Sequence, residues 1–160
     1  MRLWLVAAFC SFVGIAQADT LSGRVVAVHD GDTITVLDTN RTQYKIRLAG
    51  IDAPELRQAF GSRSKQNLSS LIYNRHVTVD WQKHDRYGRT VGVVRVDGHD
   101  VNLEQVRAGM AWWYRQYAKE QAPDDRQMYE RAEKEARAAK RGLWTDANPL
   151  PPWEWRRAKH

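Results

Sequence analysis

After residue 18 the hydrophobic pattern divides into a first half of period two and a second half of helical spacing. Leu21–Val28, Thr33–Leu37 and Tyr44–Ile51 are short runs rich in β-branched residues, and they predict three consecutive strands. Asp30-Gly31 supplies the first turn and Asp38–Gln43 ("DTNRTQ") the second. Pro54 ends the extension of the third strand. From Gln58 to Tyr73, apolar residues at Ala59, Leu68, Leu71 and Ile72 predict a helix despite Gly61. His76–Gln82 alternates as a fourth strand, "DRYGR" (Asp85–Arg89) makes a tight turn, and Thr90–Val96 returns as a fifth. A helix follows from Val101, with Val101, Leu103 and Val106 inward and Gly109 as its stop. Pro123–Arg141 reads as a charged amphipathic helix that Gly142 terminates, docking through Met128, Ala132, Ala136 and Ala139. Five short strands interrupted by one helix and followed by others predict an α+β, mainly β protein. The expected architecture is a small, partly open barrel of the OB-fold class, whose open face commonly binds nucleic acids.

The first 18 residues stand outside this pattern. Arg2, an apolar run from Leu3 to Ile15 and Ala16-Gln17-Ala18 have the layout of a secretory signal peptide cleaved after Ala18. The run is shorter than the ~20 residues a spanning helix needs, so no membrane association is expected after cleavage. The expected organisation is a signal at 1–18, one domain at 19–145 and an aromatic, basic tail at 146–160. Localisation is then periplasmic or extracellular. Cys10, the only cysteine, leaves with the signal, which removes disulfides and cysteine-based sites from the mature chain. That chain keeps 24 basic against 19 acidic side chains, a balance suited to a polyanionic partner.

Asp32 opens the second strand, where aspartate is a poor strand former. In neighbouring strands Asp32 and Asp52 meet at one end of a barrel, and two carboxylates with a backbone carbonyl suit a hard divalent cation. Glu55 follows Asp52 by three residues, past a proline. Arg47 precedes Asp52 by an odd number, so simple alternation puts the two on opposite faces unless the strand is irregular. Arg89, after its glycine turn, reaches in from another edge. A carboxylate to accept a water's proton and guanidinium forks to hold a phosphate make a kit for phosphodiester cleavage. Each acid also has a structural reading: Asp32 in the turn, Asp52 as a cap, Glu55 as a helix-start charge.

"DGDT" (Asp30–Thr33), "IRLAGIDAPE" (Ile46–Glu55) and "DRYGR", in this order and spacing, resemble the thermonuclease (staphylococcal or micrococcal nuclease) family. The resemblance continues through "VNLEQVRAGMAW" and "AEKEARAAKRGLW" and covers nearly all of the mature chain. It implies an OB-fold enzyme that uses Ca²⁺ to hydrolyse DNA and RNA. Carried over by motif position, it implies Asp32 and Asp52 as calcium ligands with the Ala53 carbonyl. It implies Glu55 as general base, or as the residue orienting the attacking water, and Arg47 and Arg89 on the scissile phosphate. Tyr87 would hold a neighbouring phosphate. Ala53 replaces a threonine usual in the family, a change a carbonyl ligand tolerates, and Arg86 replaces a lysine.

Of the tyrosines in "WWYRQY", Tyr117 falls in place without a gap and Tyr114 is its rival for nucleotide stacking; a core or groove wall is the structural reading of both. Trp112 and Trp113 read as core and rim. The tail "NPLPPWEWRR" reads either as a packed aromatic clasp or as a nucleic-acid contact. The expected protein is a monomeric, exported, calcium-dependent nuclease. Its rival is a non-catalytic OB-fold nucleic-acid-binding module of the cell envelope.

Overall fold

The computed structural model describes residues 19–158, so the segment expected to be a signal peptide, 1–18, lies outside the described residues. Five strands close a barrel: β1 (Asp19–Val28), β2 (Thr33–Leu37), β3 (Gln43–Leu48), β5 (His76–His84) and β6 (Thr90–Val96). β1 pairs antiparallel with β2 and β5, β2 with β3, and β5 with β6; a parallel β3–β6 pairing shuts the barrel. Val25, Ile34, Val36, Ile46, Leu48, Val79 and Val94 fill its interior with essentially no exposure. Helix α1 (Gly61–Ile72) closes one side through Leu68 and Ile72. A short β7 (His99–Asp100) leads into α2 (Val101–Arg107), and α3 (Pro123–Ala138) packs outside it.

The third strand does not run to Ile51. It stops at Leu48, turns through Ala49 and Gly50, and resumes as the two-residue β4 (Ile51–Asp52). Gly50 takes φ +73°, a conformation costly for any residue with a Cβ. β4 leaves the barrel sheet and pairs with β8 (Trp112–Trp113), Asp52 facing Trp112 in register. The first helix starts at Gly61 rather than Gln58, because residues 54–60 form an irregular loop. Helix α3 ends at Ala138 rather than Arg141, and of its expected docking stripe only Ala132 and Ala136 are buried, with Ala139 exposed past its end. Met128 is exposed, while Tyr129, Ala132, Glu133 and Ala136 are buried. The Tyr129 hydroxyl donates to Asp100 at 2.8 Å, a polar anchor that apolar patterning does not register. The tail folds back as α4 (Pro152–Arg157), with Pro152 buried.

Candidate active site

The strand break decides the site. Without it, Arg47 and Asp52 would point to opposite faces of one strand; the Ala49–Gly50 turn resets the alternation and brings them together. Arg47 donates from Nη1 to the Leu48 and Ile51 carbonyls, at 2.7 and 2.9 Å. Its Nη2 lies 3.1 Å from Asp52 Oδ1 and 3.2 Å from Asp32 Oδ2. The loop Pro54–Phe60 then carries Glu55 to the same wall. Gly61 permits this approach, since a Cβ there would stand 1.9 Å from the Glu55 carbonyl oxygen. The helix weakness noted at Gly61 is thus a packing requirement beside Glu55.

Asp32 and Asp52 are both buried. Asp32 accepts the Ala53 N–H at 2.7 Å and the Thr33 hydroxyl at 3.1 Å, besides its contact with Arg47. The β4–β8 ribbon fixes Asp52, and β8 is tied in turn to α3: fully buried Glu133 accepts the Trp113 N–H at 3.1 Å and pairs with Arg115 and Arg137. From α2, Gln105 donates to the Gly31 carbonyl at 2.7 Å and holds the loop before Asp32. Asn102 donates to the Ala49 and Gly92 carbonyls and secures the turn before Asp52. Sequence reasoning passed over Asn102, Gln105 and Glu133. The signal that could have found them is polar side chains within otherwise inward-facing helical runs.

Four carboxyls gather at this end of the barrel, those of Asp30, Asp32, Asp52 and Glu55. Burial and the neighbouring Asp32 carboxylate push the Asp30 carboxyl up to about 6. Burial also raises the Asp52 carboxyl, against hydrogen bonds and charge from Arg156 and Arg47. Asp30, Asp32, Asp52 and Glu55 face the guanidiniums of Arg47 and Arg156, because Arg89 is committed to Asp85. Carboxylates outnumber guanidiniums by two, and the charge on the two buried ones, Asp32 and Asp52, is stabilised by pairing or by a metal ion. Each carboxylate has about four acceptor positions; Asp52 uses three on protein donors, and Asp32 uses two besides its ion pair with Arg47. At least one oxygen position on each remains, so the donor set fits a hard divalent cation held by single carboxylate oxygens. Among the described residues no group of three acidic, histidine or cysteine side chains forms a metal cluster, so backbone oxygen or water must complete such a site.

Opposite this wall stands the β5–β6 hairpin. Asp85 accepts Arg89 Nε at 2.7 Å and the main-chain N–H groups of Tyr87 and Arg89 at 2.9 and 3.0 Å. Arg89 Nη1 reaches the Thr33 hydroxyl at 3.5 Å. Tyr87 is largely exposed and stacks under Arg86, whose Nη2 donates to its hydroxyl at 2.7 Å. Tyr114 and Tyr117 pack edge to face at 5.2 Å and both line the cleft. Tyr117 is the more available ring, covered by Lys83 at 4.9 Å. Trp112 and Trp113 are both buried, and Trp113 lines the cleft beneath Arg115. All nine residues singled out by motif line one cleft of about 2010 Å³.

The tail contributes what the sequence left open. It is an aromatic clasp, with Trp153 against Trp112 and Tyr114, and it delivers Arg156 to Asp52 and Glu55.

Comparison with known proteins agrees with this geometry. A family profile described as staphylococcal nuclease homologue matches residues 45–146. A protein named micrococcal nuclease from Shigella flexneri is 46% identical, covering 96% of this chain and 91% of that protein. A protein of Escherichia coli O157:H7 described as an uncharacterized endonuclease is 48% identical over 87% of each. Another so described, from Haemophilus influenzae, is 46% identical over 84% of this chain and 72% of its own.

Proposed function

Because the chain belongs to the staphylococcal nuclease homologue family, we propose that it is an exported nuclease cleaving phosphodiester bonds of DNA and RNA with Ca²⁺. The observation that carries the reading is the convergence of Asp32, Asp52 and Glu55 with Arg47 and Arg89 on one cleft. Asp32, Asp52 and the Ala53 carbonyl would hold the cation. Bound there, Ca²⁺ would neutralise the carboxylates and polarise a phosphate oxygen.

The chain's own groups supply the remaining steps. Glu55 accepts the proton of the attacking water; its Oε1 is engaged by Arg156, and Oε2 has no protein partner among the described residues. The fixed fork of Arg47 and the hairpin-borne fork of Arg89 bind the phosphate and stabilise charge gathering on its oxygens. Arg86 and Tyr87 hold a neighbouring phosphate, and Tyr117 stacks on a base. The protein acts as a monomer in the periplasm or outside the cell.

Protein recovered from outside the cytoplasm should have the mass of a chain beginning at Asp19. It should cut plasmid DNA with Ca²⁺ and stop on chelation. Binding to DNA without cutting in any divalent cation would return the binding module instead.

A further inference from the structure

The family profile and the motif pattern both stop short of α4, yet α4 places a side chain on the reacting wall. Arg156 Nη2 lies 2.7 Å from Asp52 Oδ2. Its Nη1 lies 3.2 Å from Asp52 Oδ1 and 2.9 Å from Glu55 Oε1. One planar fork therefore spans the buried aspartate and the more exposed glutamate, a geometry lysine cannot reproduce. We propose that Arg156 is a positioning residue for the cleavage reaction: it clamps the Glu55 carboxylate against Asp52 so that the free Glu55 oxygen faces the attacking water.

The placement is built in rather than incidental. A six-residue helix has no stability of its own, so packing must decide where α4 lies. Trp153 stacks on Tyr114 with centroids 5.4 Å apart and meets Trp112 edge to face at 5.5 Å. Gln58 Nε2, from the loop that carries Glu55, donates to the Leu150 carbonyl just before the helix. The loop and the helix that bracket Glu55 are thus bound to each other twice, once through backbone and once through Arg156.

An exposed ion pair is worth little because both side chains must be ordered to make it. Here Asp52 is 1% exposed and held by Arg47 and the β4–β8 pairing, and Trp153 docks the helix. The glutamate is the partner that gains. Its side chain is 40% exposed and, apart from Arg156, no described residue pairs with its carboxylate. Without the fork Glu55 samples rotamers that aim it into solvent, and a general base works only within hydrogen-bond reach of its water.

This inference rests on the reading of Glu55 as the base, and a double-mutant cycle separates the two. Arg156→Ala should lower kcat about tenfold to a hundredfold, the range for outer-shell partners, with KM for DNA changed less than about threefold. In a Glu55→Gln background the same change should cost less than about threefold, because the group it positions no longer accepts a proton. Arg156→Lys keeps the charge and the docked helix but reaches only one carboxylate, and should recover part of the loss. Calorimetric Ca²⁺ titration without DNA should show several-fold tighter binding in Arg156→Ala, since a cation beside Asp52 is gone, while turnover falls. An equal fold-cost in both backgrounds would overturn the proposal by making the role purely structural. Faster turnover of Arg156→Ala at limiting Ca²⁺ would overturn it by making Arg156 a blocking latch. The base assignment is judged separately by Glu55→Gln alone.

Discussion

Two arginines enter the cleft from opposite sides and are held in opposite ways. Arg47 lies in the barrel floor. Its side chain is 15% exposed, tied to two main-chain carbonyls and wedged against two buried aspartates. Arg89 rides on a hairpin, held by Asp85 four residues earlier and by a long contact to Thr33. The floor arginine cannot turn without disturbing the strand break, whereas the rim arginine can adjust with its own turn. A floor preorganised by the core suits charge that develops at a fixed point, and a rim held only by local contacts suits substrate that must enter and leave.

The sharpest way to break this contrast is Asp52→Ala. Asp52 is the shared partner of Arg47 and Arg156, and its loss leaves Arg47 with Asp32 alone and Arg156 with Glu55 alone. Both guanidiniums keep one carboxylate, so the urea midpoint should fall by less than the loss of a lone buried partner would cause. Cleavage should be lost almost entirely. A variant with an unchanged midpoint would mean that the floor is no more rigid than the rim.

Next in size is the paired exchange of each arginine for lysine, which keeps charge and loses the planar fork. Arg47→Lys gives up the bridge between Asp32 and Asp52 together with the main-chain anchors. A fall in kcat of about 10²–10³-fold is expected, the range for removing one fixed donor. Arg89→Lys should cost about tenfold less in single-turnover cleavage, because the hairpin can carry the ammonium toward the phosphate. Equal losses would erase the distinction.

The same contrast explains what was legible in the sequence. The rim is local: Asp85, Gly88 and Arg89 sit within five residues, and the turn signal placed them. Strand identities were also legible, because β2 and β6 rest on period-two runs. The floor was legible as a set of residue types through motif order, but not as geometry. The turn that brings Arg47 onto Asp52 depends on the left-handed Gly50 and on Asn102 in a helix more than fifty residues later. Glu133 and Tyr129 in α3 were hidden because buried polar groups obey partners distant in sequence, not periodicity. Arg156 was hidden for the same reason: nothing in "PPWEWRR" says that its arginine meets carboxylates a hundred residues earlier.

The smallest expected effect is at Asp85, and it tests how the rim is held. Partial burial pushes its carboxyl up, but hydrogen bonds from the Arg89 and Tyr87 N–H groups and the Arg89 side chain outweigh that and hold it below its ordinary 3.8. A depressed carboxyl contributes stability above its unfolded value and loses it as pH falls through the folded one. Asp85→Ala should therefore destabilise the protein by about 1 kcal/mol near neutrality, since a half-buried ion pair and two turn hydrogen bonds are lost together. The difference from wild type should vanish once pH drops well below 3.8. Activity should respond more than stability, because the freed Arg89 samples orientations that Asp85 now excludes. A fall in kcat of about tenfold is expected, while Arg47, untouched in the floor, keeps KM for DNA nearly constant. Chemical denaturation from pH 2 to 7 and single-turnover cleavage at pH 7 measure the two effects on one preparation. If Asp85→Ala cleaves as fast as wild type, the loop ion pair does not aim Arg89, and Thr33 and the Tyr87 ring hold it instead.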